Sequence, residues 1–171
     1  MEGLLHQRKV EQIKNYLGID PGLKGGLVLI NEAGKILDFM KMPVRKDGLI
    51  DHDAIYKFIS PLTGLSVFLE RAVSFGMGTT SAFTYGRGFA AIEIAIELSG
   101  NRINYVYPTV WTRLLHKDQP KTLDSKEKSV RAARGLHNLS KFPVSRTGKI
   151  HDGLIDAFLI AEYGRKMSKL N

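Results

Sequence analysis

Four carboxylates in this 171-residue chain stand out by their surroundings. Asp20 closes the apolar run Leu17-Gly18-Ile19-Asp20-Pro21-Gly22, and Glu70 closes another, Val67-Phe68-Leu69-Glu70. A charged residue ending a hydrophobic strand is costly to bury unless it is paired or binds a cation. Asp152 and Asp156 follow in His151-Asp152-Gly153-Leu154-Ile155-Asp156. Their i, i+4 spacing offsets the two side chains by only about 40° around a helix, so both project from one face near its start. Each acid has a plainer reading alone: Asp20 could cap a Pro-Gly turn, and the later pair could complement a helix dipole. If all four converge, repulsion destabilises the cluster unless cations lie between them.

Such a set suits two divalent cations about 3.5 to 4 Å apart, one activating a water and the other stabilising the leaving oxygen of a phosphoryl displacement. The chain has no cysteine, which excludes disulfides, thiol catalysis and thiolate zinc sites and leaves hard ions such as Mg²⁺ or Mn²⁺. Glu93 and Glu97 are also spaced i, i+4, but they alternate with Ile92, Ile94 and Ile96 without a strand-borne partner. They read as surface or interface residues.

The elements that must position these acids can be read in order. Residues 15–22, 26–31 and 35–42 form three consecutive antiparallel strands, the last two joined by a tight turn at Asn31, Glu32, Ala33 and Gly34. Residues 51–60 place Ile55, Phe58 and Ile59 on one helical face behind an Asp cap, and 65–71 is a buried strand that pairs with the first, setting Asp20 beside Glu70. A glycine-studded loop leads into a long helix at 79–99, a fifth strand at 102–107 and a helix at 108–115 with Pro in its first turn. Helices at 124–137, opened by an Asp cap with Glu three residues on, and at 151–167 complete the chain. The order βββαβαβ followed by helices is the α/β layout of an RNase H-like fold, a mixed five-stranded sheet flanked by helices on both faces.

With 43% hydrophobic residues the chain can bury an adequate core. No internal repeat or linker divides it, so residues 1–171 are expected to form a single domain, with a core at about 15–165 and a short N-terminal extension. No membrane span or targeting segment is evident, and a soluble intracellular protein is expected. Net charge is +8, unevenly spread: residues 101–150 hold 11 Lys and Arg against 3 Asp and Glu, whereas residues 1–100 are balanced at 11 each. That is the footprint of a surface that neutralises phosphates, or else a solvated face.

Residues 17–26 (Leu17-Gly18-Ile19-Asp20-Pro21-Gly22-Leu23-Lys24-Gly25-Gly26), the strand end Phe68-Leu69-Glu70 and the run from His151 to Ala161 resemble the RuvC-type Holliday junction resolvases over about residues 15–165. The i, i+4 closing acids and Phe83-Thr84-Tyr85-Gly86-Arg87-Gly88-Phe89 are most similar to phage-type members and the related plastid resolvases. The resemblance implies a structure-selective endonuclease of the bacterial or phage-infected cytoplasm, a homodimer that makes paired, ligatable nicks in four-way DNA junctions. It implies Asp20, Glu70, Asp152 and Asp156 as catalytic and metal ligands, with two Mg²⁺ or Mn²⁺ per site and no small-molecule cofactor. Bacterial members more often close the site with residues three apart; Gly153 stands at that spacing here, which makes Asp152 the ligand least fixed by analogy.

For DNA contact, Phe75 sits on the glycine-rich loop after Glu70, where it could stack on an unpaired base or fold back onto the core. Arg87, between two glycines, could approach a phosphate closely, although the glycines equally suit helix packing. Lys117, Lys121, Lys126, Lys128, Arg131, Arg134, Arg146 and Lys149 are assigned collectively to phosphate contact. Trp111 reads as core, and His151 as a turn or orienting residue. The 79–99 helix, with Gly88, Ala90, Ala91 and Ala95 beside Phe83, Phe89, Ile92, Ile94, Ile96 and Leu98, is the expected dimer interface, with Ala91 or Ala95 as its probe. Two other functions compete: an actin-like or sugar-kinase-like ATPase fragment, since residues 20–26 also look like the phosphate-binding hairpin of that group, and a junction-binding protein that does not cut.

Overall fold

The computed structural model describes residues 14–71, 78–146 and 148–170. Strands β1 (Asn15–Asp20), β2 (Gly26–Asn31) and β3 (Ile36–Lys41) are followed by helix α1 (His52–Ile59) and strand β4 (Leu65–Glu70). Helix α2 (Thr79–Leu98), strand β5 (Ile103–Val106) and helices α3 (Pro108–Leu115), α4 (Ser125–Leu136) and α5 (Asp152–Met167) complete it. The sheet order is β3-β2-β1-β4-β5, with β1, β2 and β3 antiparallel and β1, β4 and β5 parallel. This is the mixed five-stranded sheet the element order predicts.

Period-two alternation explains which residues face which layer. Along β1, Tyr16 joins the core beneath α3, α4 and α5, whereas Leu17 and Ile19 join the core beneath α1 and α2. On β4, Phe68 belongs to the first core and Val67 and Leu69 to the second. Asp20 and Glu70 continue the rows of Tyr16 and Phe68, which are covered by α5. Both expected caps are present: the Asp51 side chain accepts from the Ala54 N–H, and Asp124 with Glu127 forms a reciprocal capping box. The turn at residues 31–34 closes with Gly34 at φ +83°.

Two features differ from the sequence expectations. A local motif recurs one hundred residues apart, where no repeat was expected. Val44 bridges Ile50 and Val144 bridges Ile150, each antiparallel. Arg45 N–H donates to Leu49 O and Ser145 N–H to Lys149 O, both at 2.8 Å. Gly48 and Gly148 sit at φ +80° and +77°, a conformation that favours glycine. Each hairpin delivers the chain directly into a helix, α1 or α5.

The second difference concerns α2. Ala95, Ile92 and Ile96 are fully buried against the sheet, so Ala95 belongs to the monomer core and cannot probe an interface. Phe83, Ile94 and Leu98 are the large apolar residues that α2 leaves exposed. Among the described residues no helix is long and apolar enough to cross a membrane.

Candidate active site

Asp20 and Glu70 leave adjacent strands at the same end of the sheet, one position beyond the parallel pair Ile19–Leu69. The turn after Asp20 is tight: the Gly22 N–H donates to Asp20 Oδ1 at 3.1 Å, and a Cβ on Gly25 would stand 2.1 Å from the Asp20 carbonyl oxygen. Helix α5 lies directly on this turn. A Cβ on Gly153 would lie 2.2 Å from the Lys24 carbonyl oxygen, so the first turn of α5 approaches at a distance only glycine permits. Gly153, between the two aspartates, thus allows α5 to set Asp156 over the ends of β1 and β4.

The result is a group of three mutually interacting carboxylates. Burial pushes the Glu70 pKa up to about 7, opposed by a hydrogen bond from Trp111 and reinforced by the charges of Asp20 and Asp156. Burial likewise pushes Asp156 up to about 6, opposed by the Ser129 side chain and reinforced by Asp20 and Asp152. Asp20 is raised by burial against the Gly22 hydrogen bond. Desolvation and crowding both penalise the ionised forms.

Asp152 is arranged differently. Its Oδ2 accepts from Lys126 Nζ and Lys149 Nζ, each at 3.1 Å. Burial acts to raise its pKa, but hydrogen bonds from Lys149 and Lys126 outweigh it and hold the group low. The expectation that four acids meet at one point is therefore corrected: three share a desolvated patch, while the fourth is held at its edge by two lysines. Among the described residues, no group of three or more such side chains stands close enough in these rotamers to enclose one ion. Glu70 is turned to Trp111 and Asp152 to its lysines.

The donor set nevertheless fits hard divalent cations. All the available atoms are carboxylate oxygens, which Mg²⁺ and Mn²⁺ prefer. Asp152 Oδ1 and Asp156 Oδ1 are buried and have no hydrogen-bond partner. A buried carboxylate oxygen without a donor costs free energy that a bound cation would recover.

The other predicted contact residues differ in their relation to this patch. Lys126 and Lys149 are engaged with Asp152, so they touch the acidic site directly. Lys117, Lys121, Arg131, Arg134 and Arg146 are exposed, and Lys128 is partly buried. Arg87 lies over the Phe83 ring at 5.8 Å and lines a cavity of about 770 Å³ that begins at Pro21 and Gly22. Lys24 and Arg45 line the same cavity and lie outside the basic segment at 101–150. Phe75 lies outside the described residues. His151 is the N-cap residue of α5 and makes no side-chain cap hydrogen bond, in keeping with its reading as a turn residue. Trp111 is buried as expected, but its Nε1–H donates to Glu70 Oε1 at 2.8 Å, a polar role for which apolar periodicity carries no signal.

The sequence matches no known family model and no curated protein. Solved structures do match. The structure of T. thermophilus RuvC in complex with a Holliday junction substrate is similar over 92% of this chain and 96% of that one, with a TM-score of 0.70 at 17% identity. A second Thermus thermophilus RuvC structure is similar over 91% and 96%, with a TM-score of 0.64 at 18% identity. At this level of identity the likeness establishes architecture, and the chain has the RNase H-like fold of RuvC along nearly its whole described length.

Proposed function

We propose that this chain is a metal-dependent, structure-selective DNA endonuclease that resolves four-way junctions. The observation that carries this reading is the convergence of Asp20, Glu70 and Asp156 from β1, β4 and α5 into one desolvated patch with raised pKa values. Buried acids crowded together without a cationic partner, their pKa values raised by desolvation and by one another, are characteristic of functional sites. The fold shared with a junction-bound RuvC supports DNA as the substrate.

In this reading Asp20, Glu70 and Asp156 hold two Mg²⁺ or Mn²⁺ ions, with Asp152 contributing from the edge. When bound there, such ions would supply a water nucleophile at neutral pH and stabilisation of the leaving oxygen. The chain's own residues do the rest. Burial favours the protonated forms of Glu70 and Asp156, and a bound cation would have to displace those protons. Lys126 and Lys149 restrain Asp152 and add positive charge beside the path of a phosphate. Lys117, Lys121, Lys128, Arg131, Arg134, Arg146 and Arg87 extend that charge across the DNA-facing surface.

Paired incision of a junction requires two sites related by two-fold symmetry, and one chain carries one set of acids. The proposed enzyme is therefore a homodimer, joined through Phe83, Ile94 and Leu98 on the exposed part of α2. The whole chain serves as a single nuclease domain in the cytoplasm of a bacterial or phage-infected cell.

The decisive experiment is incubation of the protein with labelled four-way, three-way, flap and linear duplex DNA in Mg²⁺ or EDTA. Symmetric nicks confined to the four-way junction and abolished by EDTA are expected. Cutting of flaps or duplex at equal rates would replace the junction with another substrate, and binding without cutting would favour a non-catalytic junction binder.

A further inference from the structure

Trp111 sits where the geometry of β5 and α3 aims it at the site. Glu70 is in register with Val106 on β5, and the Arg71 N–H donates to Val106 O at 2.8 Å. The chain then passes Tyr107, the N-cap of α3, and enters the helix at Pro108. One turn later Trp111 returns over the end of β4 and bonds Glu70. Its ring is 4% exposed and meets the His116 ring edge-on, with centroids 5.6 Å apart at 82°. His116 Nε2 is 3.2 Å from Ser129 Oγ, and the buried Ser129 side chain faces Asp156.

A continuous arc therefore runs from Glu70 through Trp111, His116 and Ser129 to Asp156, linking two of the three buried acids by way of α3 and α4. Neither Trp111 nor Ser129 can be solvated, so their polar atoms are committed to this arc. An indole N–H is a donor only. It can bond a carboxylate oxygen in either protonation state but cannot compete for a cation, and it leaves the second Glu70 oxygen free.

We propose that Trp111 is the positioning residue for Glu70, holding one carboxylate oxygen so that the other faces the metals, and that His116 and Ser129 do the same for Asp156. The inference rests on the metal-dependent reading above. Outer partners of metal-bound carboxylates typically change affinity by about 10- to 100-fold when lost. Trp111 is also the sole tryptophan of the chain, so its indole N–H gives one resonance that reports the site from inside.

Three measurements test this. Calorimetric titration with Mn²⁺ is made on the wild type, Trp111→Phe, which keeps an aromatic ring and removes the donor, and Ser129→Ala. Mn²⁺ affinity is expected to fall by about 10-fold or more in Trp111→Phe and by a smaller factor in Ser129→Ala. Trp111→Phe is expected to lower thermal stability, because it removes a buried hydrogen bond and leaves a void. Junction binding by the folded protein in EDTA should stay near wild type, and cleavage should recover as Mn²⁺ is raised. In ¹⁵N-labelled wild-type protein, Mg²⁺ should shift the single indole resonance saturably, and Asp20→Asn should abolish the shift. This arm does not depend on Trp111→Phe folding. Equal Mn²⁺ affinity in wild type and Trp111→Phe, or an indole resonance unmoved by saturating Mg²⁺, would overturn the proposal. Absence of any Mn²⁺ binding to the wild type would instead remove the metal-dependent reading beneath it.

Discussion

Gly18 and Ala157 touch backbone to backbone: a Cβ on Gly18 would stand 2.1 Å from the Ala157 carbonyl oxygen and 2.3 Å from the Ala161 nitrogen. Neither obstacle is a flexible side chain, so α5 would have to lift from β1. Gly18→Ala is expected to destabilise the fold by about 1 to 3 kcal/mol or more. Cleavage should drop more than the folded fraction, because α5 carries Asp156 with it. Denaturant unfolding beside junction cleavage checks both; wild-type values for the variant would refute the close approach.

Substitution of the three buried acids should separate cutting from binding. Asp20→Asn, Glu70→Gln and Asp156→Asn are each expected to reduce Mg²⁺-dependent cleavage to background while junction binding in gel shifts persists or tightens. Asp152→Asn should leave measurable cleavage, since Asp152 is tied to Lys126 and Lys149. Any of the first three variants that keeps most of its activity loses its place in the site.

The raised pKa values set a pH dependence of metal-free stability. An acid whose folded pKa lies above its unfolded value retains protons on folding, so stability falls as pH rises through that interval. With Asp156 near 6 and Glu70 near 7, the protein in EDTA should lose stability between about pH 4 and pH 7. Glu70→Gln should flatten the upper part of this fall. Mn²⁺ should restore more stability at pH 7.5 than at pH 5, since protons compete with it at the lower value. Urea midpoints measured across that range test the sign; a rise with pH in EDTA would contradict it.

Junction affinity should decline steeply with salt, at a slope of about −0.9 in log K against log salt for each phosphate neutralised. Charge reversal at Lys126, Lys128, Arg131 and Arg134 together should make the slope shallower. Fluorescence anisotropy from low to moderate salt distinguishes this from a merely solvated helix face, for which the slope would not change.

Light scattering at micromolar concentration should give the mass of two chains, and Ile94→Asp or Phe83→Asp should give one. Both residues are at least half exposed in the monomer, so the substitution spares its core. A wild-type protein that stays monomeric on junction DNA would rule out paired incision by a dimer.

Much of the architecture was legible because it follows from local rules. Alternation in residues 15–20 and 65–70 assigns Asp20 and Glu70 to one face, and the Asp124–Glu127 box announces α4. The meeting of Asp20, Glu70 and Asp156 was legible in the sequence, and the side chains that hold them were not. Nothing in residues 117–149 marks Lys126 and Lys149 as the two that reach Asp152, because that meeting depends on how α4 and the second hairpin are placed in space. Trp111 shows the same limit: periodicity gives its burial but not the direction of its N–H. The segments 43–50 and 143–150 share Pro, Val, Gly and Ile at equivalent positions, a pattern too sparse to register as a repeat until their hydrogen bonds are compared.

The lodging of α5 on β1 also governs when the molecule becomes competent. Strands β1 and β2, joined by a short turn, can pair early, yet the surface that buries Tyr16 and seats Gly18 is supplied from more than a hundred residues away. Contacts of such long sequence separation require closing a large loop before they reward the chain, and they slow folding. Asp20 and Glu70 meet when β1 pairs with β4, but Asp156 joins them only in that closing event, so an incompletely folded chain has no assembled site.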